Sequence, residues 1–97
     1  MLLLISYDLQ DMHERYNAFC SRVRELGTPN FCTRSVVLLQ TLTTAGDVDS
    51  ELKKIIDKSD SLLVLDITGI SEDRYFGRCH KTVNGIGVWN WIRANNH

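Results

Sequence analysis

The sequence predicts an α+β domain with elements in the order β-α-β-β-α-β and a tryptophan-bearing C-terminal extension. Three observations carry this. Apolar runs at 2–7, 36–39 and 62–65 are too short for buried helices and rich in Leu, Val and Ile, as strands are. Two intervening stretches repeat their apolar residues at spacings of three and four, the mark of an amphipathic helix. Turn and breaker residues stand at the junctions.

Leu2 to Tyr7 is a continuous apolar run ending at Asp8, which suits a central strand covered on both faces. Met12, Tyr16, Phe19, Val23 and Leu26 then fall on one helical face, with His13, Glu14, Arg15, Arg22 and Arg24 largely off it. Asp11 and Glu14 have the spacing of a capping box. Gly27 is expected to stop the helix in the left-handed conformation, and Pro29 to prevent its resumption. Phe31 to Leu42 reads as extended, with Thr28 to Cys32 a candidate short strand of its own. Thr44 or Asp47 can cap a second helix, whose apolar face is Val48, Leu52, Ile55 and Ile56. Asp57 to Asp60 is a turn, and Ser61 to Thr68 a second buried strand closed by Gly69. Arg74 to His80 is a short strand or a loop. Gly85-Ile86-Gly87 is a joint, and Val88, Trp89, Trp91 and Ile92 cluster on a short C-terminal helix.

Right-handed crossovers would place both helices on one face of a four-stranded antiparallel sheet, the ferredoxin-like arrangement. Residues 1–97 are read as one such domain, with a core over 1–68 and an extension over 69–97. The strands are apolar on both sides, so the second sheet face must be covered. The Trp-bearing extension, a second subunit in a two-fold homodimer, or both can do so.

Composition narrows the function classes. The chain has 97 residues, 43% hydrophobic and 24% charged, enough for one core and unlike a disordered chain. Net charge is -1, so a general affinity for phosphates is absent and nucleic-acid binding needs a local patch. Cys20, Cys32 and Cys79 are odd in number and form no CxxC, which argues against a disulfide framework or zinc knuckle and for reduced thiols in the cytoplasm. The apolar start breaks at Ser6-Tyr7-Asp8 with no basic residues before it, too short for a signal peptide or membrane span.

The pattern Leu4-Ile5-Ser6-Tyr7-Asp8-Leu9 resembles the first strand of the small CRISPR-associated adaptation and endoribonuclease subunit. The helix ending Leu26-Gly27, the strand Arg34-Ser35-Val36-Val37, the helix after Thr44 and the strand opened by Asp60-Ser61 are similar in the same order. The likeness covers roughly residues 1–68 and extends to virulence-associated D-type toxins and to small bacterial and phage proteins of the same layout. The last also carry a Trp-rich C-terminus like Trp91-Ile92. The resemblance implies a ferredoxin-like homodimer in which Asp8, ending the first strand, is a metal ligand meeting its mate across the two-fold axis. Two positions depart from the pattern: Val37 replaces an aromatic residue, and Gln10-Asp11-Met12-His13 replaces basic and polar residues.

Read from the residues alone, Asp8 either holds Mg²⁺ through waters, for hydrolysis of a phosphodiester, or simply caps a turn. Asp11 and His13 are close enough in sequence to assist. Cys79-His80 lacks an orienting acid, and the His and Cys residues are too scattered for zinc. Arg74, Arg78, His80 and Lys81, interleaved with Tyr75 and Phe76, form the one local basic cluster. With Arg34 and Ser35 they are the candidate contacts to nucleic acid or a partner. Trp89 and Trp91 are candidates for an interface. Two functions follow: a dimeric, nucleic-acid-directed protein, in its sharpest form a Mg²⁺-dependent endonuclease of RNA or DNA, or a non-catalytic protein-binding or inhibitory module of phage or mobile-element origin, anti-defence or antitoxin-like.

Overall fold

A computed structural model describes residues 1–10, 14–76 and 87–96. The elements are β1 (Leu2–Asp8), α1 (Glu14–Leu26), β2 (Thr28–Asn30), β3 (Val36–Gln40), α2 (Ala45–Lys53), β4 (Ser61–Asp66), a 3-10 turn (Glu72–Arg74) and α3 (Val88–Asn95). The sheet has the order β2-β3-β1-β4, every neighbouring pair antiparallel. This is the ferredoxin-like βαββαβ arrangement, with β1 and β3 inside.

The alternation of β1 divides the protein into two cores. Leu3, Ile5 and Tyr7 point to the helices, where they meet Val37 and Leu39 of β3, Phe19 and Val23 of α1, and Val48 and Leu52 of α2. All nine are buried, and each aliphatic or aromatic side chain withdrawn from water here contributes about 1.5–3 kcal/mol. Leu2 and Leu38 point the other way, onto Val88, Trp91 and Ile92 of α3. The hydrophobic C-terminal cluster is thus a helix that covers its own sheet. Asn96 pins its end by accepting from the Gly69 amide at 2.7 Å and donating to the Ile70 carbonyl at 3.0 Å.

Three expectations change. Gly27 is not left-handed: among the described residues only Gly69 is a glycine with positive φ, at 80°. The Thr41 hydroxyl donates to the Leu26 carbonyl at 2.7 Å, so the end of α1 is satisfied without a left-handed residue. Gly27 is small for another reason: a Cβ there would collide with the Gln40 carbonyl oxygen of β3. Helix α2 stops at Lys53, short of the apolar repeat. Ile55 and Ile56 turn back on the Leu52 carbonyl and pack half-buried beneath it. Strand β4 is not buried. It is a sheet edge, and Leu63 and Leu65 on its second face are 54% and 44% exposed, outside the cluster that α3 forms with Leu2 and Leu38. Of the strand and loop readings for Arg74 to His80, the described part fits the loop: Arg74 closes the 3-10 turn and Tyr75 and Phe76 follow it outside any strand. The expectations for Asp11, Met12, His13, Arg78, Cys79, His80, Lys81 and the Gly85-Ile86 joint lie outside the described residues.

Candidate functional site

Register places Asp8 among named neighbours. It lies opposite Ser61 in the β1–β4 ladder, while on the other side the Tyr7 amide donates to the Ser35 carbonyl at 2.9 Å. Asp8 is therefore bracketed by the start of β4 and by the loop between β2 and β3, which carries Arg34 and Ser35. That loop is built by backbone bonds. The Thr33 amide donates to the Val36 carbonyl at 3.2 Å, and the Ser35 amide to the Thr33 hydroxyl at 3.2 Å. Asp8, Arg34, Ser35 and Ser61 are all exposed at this end of the sheet. Because even-numbered residues of β1 point away from α1 and α2, the Asp8 side chain belongs to the face that α3 only partly covers.

Tyr7 marks the contrast. It points into the helical core, its ring 4.5 Å from that of Phe19, and burial followed by the neighbouring Tyr16 pushes its phenol well above the usual tyrosine range. The proton stays on this group at any physiological pH, which fits packing rather than proton transfer.

Below Asp8 the same face is apolar. A groove of about 340 Å³ runs between the sheet and α3, with Leu4, Cys32 and Val36 on its floor and Arg74, Phe76 and Trp89 among its walls. Val36 is the register partner of Ser6, so the groove ends one residue pair short of Asp8. Trp89 leans on Tyr75 with ring centroids 5.4 Å apart, and Phe76 is 83% exposed. Trp91, by contrast, is 3% exposed and serves the chain's own core.

A larger cleft of about 760 Å³ lies at the opposite end of the sheet, between the end of α1 and the start of α2. Most of its charged side chains are engaged: Arg22 meets Glu51 at 2.9 Å and Glu25 at 3.0 Å, Arg24 lies over the Phe31 ring at 5.0 Å, and Asp47 accepts from the Thr43 hydroxyl at 3.1 Å. Volume here does not mark the chemistry.

Among the described residues no three His, Cys, Asp or Glu side chains come together as a metal cage, and Asp8 is the carboxylate that ends β1. Mg²⁺ keeps several waters and accepts one or two protein carboxylates. Asp8 of a single chain supplies one such carboxylate.

This architecture is similar to that of a protein of solved structure. The crystal structure of Streptococcus pyogenes Cas2 matches with a TM-score of 0.60, over 80% of this chain and 99% of that one. The fold is that of Cas2. Sequence identity to Cas2 is 22%, so the likeness concerns architecture. No protein-family model and no curated protein matches the chain. The resemblance of the β1 pattern to Cas2-type subunits thus agrees with the fold, and no helix among the described residues is long and apolar enough to cross a membrane.

Sequence reasoning singled out Asp8, Arg34 and Ser35 separately, and the sheet gathers them at one end. Arg74 lines the groove between the sheet and α3. Asp60 and Ser61, both beside the Asp8 end, read from the sequence as a turn and the opening of a strand. Their nearness follows from a pairing 53 residues apart that no local pattern encodes.

Proposed function

We propose that this chain acts as a homodimer on nucleic acid, in the manner of a CRISPR adaptation subunit, with the two Asp8 carboxylates sharing one Mg²⁺. The observation that carries the reading is the position of Asp8. It is an exposed carboxylate at the end of a central strand, on the sheet face that α3 only partly covers and beside Arg34 and Ser35. Bound there, the cation would activate a water and offset charge on a scissile phosphate. Arg34 would hold a phosphate, while Arg74, Tyr75 and Phe76 would track a strand by charge and stacking.

Labelled RNA and DNA incubated with the protein test this directly. Cleavage is expected with Mg²⁺ and not with EDTA, and Asp8→Ala should abolish it. Cleavage that persists in Asp8→Ala removes Asp8 from the mechanism.

A second reading is favoured by the net charge of -1 and by the apolar character of the open face, with Leu63, Leu65 and Phe76 exposed. These suit a protein partner and a non-catalytic, inhibitory role. Salt separates the two readings: binding through phosphates weakens steeply as salt rises, whereas a flat response indicates a protein-directed surface.

A further inference from the structure

The carboxylate of Asp60 is placed unlike any other in the described chain. Its side chain has 0% exposure, whereas the carboxylate partners in the other ion pairs are 30–64% exposed. One oxygen accepts from the Gln10 amide at 2.8 Å and lies 3.4 Å from Arg15 Nη2. The other accepts from the Asp57 amide at 2.8 Å and lies 3.1 Å from Arg15 Nε. Two oxygens thus face donors from three places: the chain leaving β1, the first turn of α1, and the turn before β4. An ionised carboxylate has about four acceptor sites and no proton to place, so it suits a position surrounded by donors.

These contacts bracket Asp8. Gln10 is two residues beyond it, and Ser61, bonded to Asp60 along the chain, is its register partner. We propose that Asp60 is a positioning residue for Asp8: it fixes both the strand beside Asp8 and the segment that leaves it, and so sets where the Asp8 carboxylate points. The purpose assigned to this brace rests on the reading of Asp8 as a metal ligand. The brace itself rests on the hydrogen bonds alone.

The test is NMR on the full chain, with amide exchange as one readout and Mn²⁺ broadening of Asp8 signals as the other. In Asp60→Ala the Gln10 and Asp57 amides should exchange about tenfold faster or more. The Asp8 carboxyl resonance should move and a comparably higher Mn²⁺ concentration should be needed, while Ile5 and Leu39 keep their protection. Unchanged Gln10 exchange with unchanged Asp8 signals would overturn the proposal, as would faster exchange that leaves the Asp8 resonance where it was. If Asp60→Ala does not fold, Asp60→Asn serves. It keeps one carbonyl oxygen, for either the Gln10 or the Asp57 amide, and turns an N–H donor to the other, so faster exchange at one of the two amides is expected and no change at either counts against the brace. The two readings fail separately. Mn²⁺ that broadens no Asp8 signal in the wild type removes the metal, and the exchange and resonance data still decide on Asp60.

Discussion

A methyl group on Gly27 would run into the Gln40 carbonyl oxygen, because the chain leaving α1 enters β2 beside Gln40, the register partner of Thr28. Gly27→Ala is therefore expected to cost about 1–3 kcal/mol, by forcing the backbone apart at a packed contact. Thermal unfolding measures it, and an unchanged midpoint would mean that the α1–β2 connection yields freely. Charge acts at the same scale. Asp60 is held below the ordinary carboxylate range by the Asp57 and Gln10 amides, Asp66 by Thr68, and Glu51 first by Arg22 and then by Lys54. Each folded-state pKa lies below the unfolded one, so near those values the unfolded chain binds more protons. Their stabilisation is complete above the unfolded values of about 4 and is lost as pH falls through the folded ones. Denaturant midpoints should stay level from neutrality to about pH 5 and decline below about pH 4. A midpoint that holds at pH 3 would show these carboxylates to be unimportant.

Elements differ in how far the sequence discloses them, and the difference is physical. Strands β1 and β3 were legible because both faces are covered for most of their length, which demands continuous apolar residues. Thr44 was legible as a cap because its hydroxyl accepts from the Asp47 amide at 3.1 Å, a purely local bond. Helix α3 was legible from Val88, Trp91 and Ile92, whose spacing survives as its buried stripe. The exposure of β4 was not legible, because Leu63 and Leu65 have the composition of a core strand and only the sheet order makes them an edge. The end of α2 was equally hidden: Ile55 and Ile56 continue the apolar repeat but reach the core from a turn. At the candidate site, Asp8 was marked by ending an apolar run, whereas its proximity to Asp60 and Ser35 depends on strand pairing. Helix α3 also carries a prediction. Trp91→Ala should cost about 3–5 kcal/mol, since the ring is almost fully buried against Leu2 and Leu38. Equilibrium unfolding reads this loss, and a change below about 1 kcal/mol would show α3 to be a loosely attached lid rather than a second core.

At the scale of the molecule, the two sheet edges are guarded unequally. Strand β2 has three residues, one of them Pro29, and so offers little to pair with. Strand β4 has six, Ser61 to Asp66, with no proline or lysine and two half-exposed leucines on the face that Asp8 shares. Natural edge strands of that length usually carry a charge or break in the middle, so an unguarded one points to a partner. A second copy meeting this face would cover Leu63 and Leu65 and bring the two Asp8 ends together, so that dimerisation and metal binding would become one event. Leu63→Lys with Leu65→Lys separates the interface from the core. Both side chains are already about half in water in the single chain, so the melting temperature of the monomer should change little. In sedimentation across a range of concentrations, the wild type is expected to run as a dimer and the double variant as a monomer. Mg²⁺-dependent activity should disappear with the dimer although Asp8 is intact. A double variant that still sediments as a dimer places the contact elsewhere, and a monomeric variant that keeps full activity shows that one Asp8 is enough.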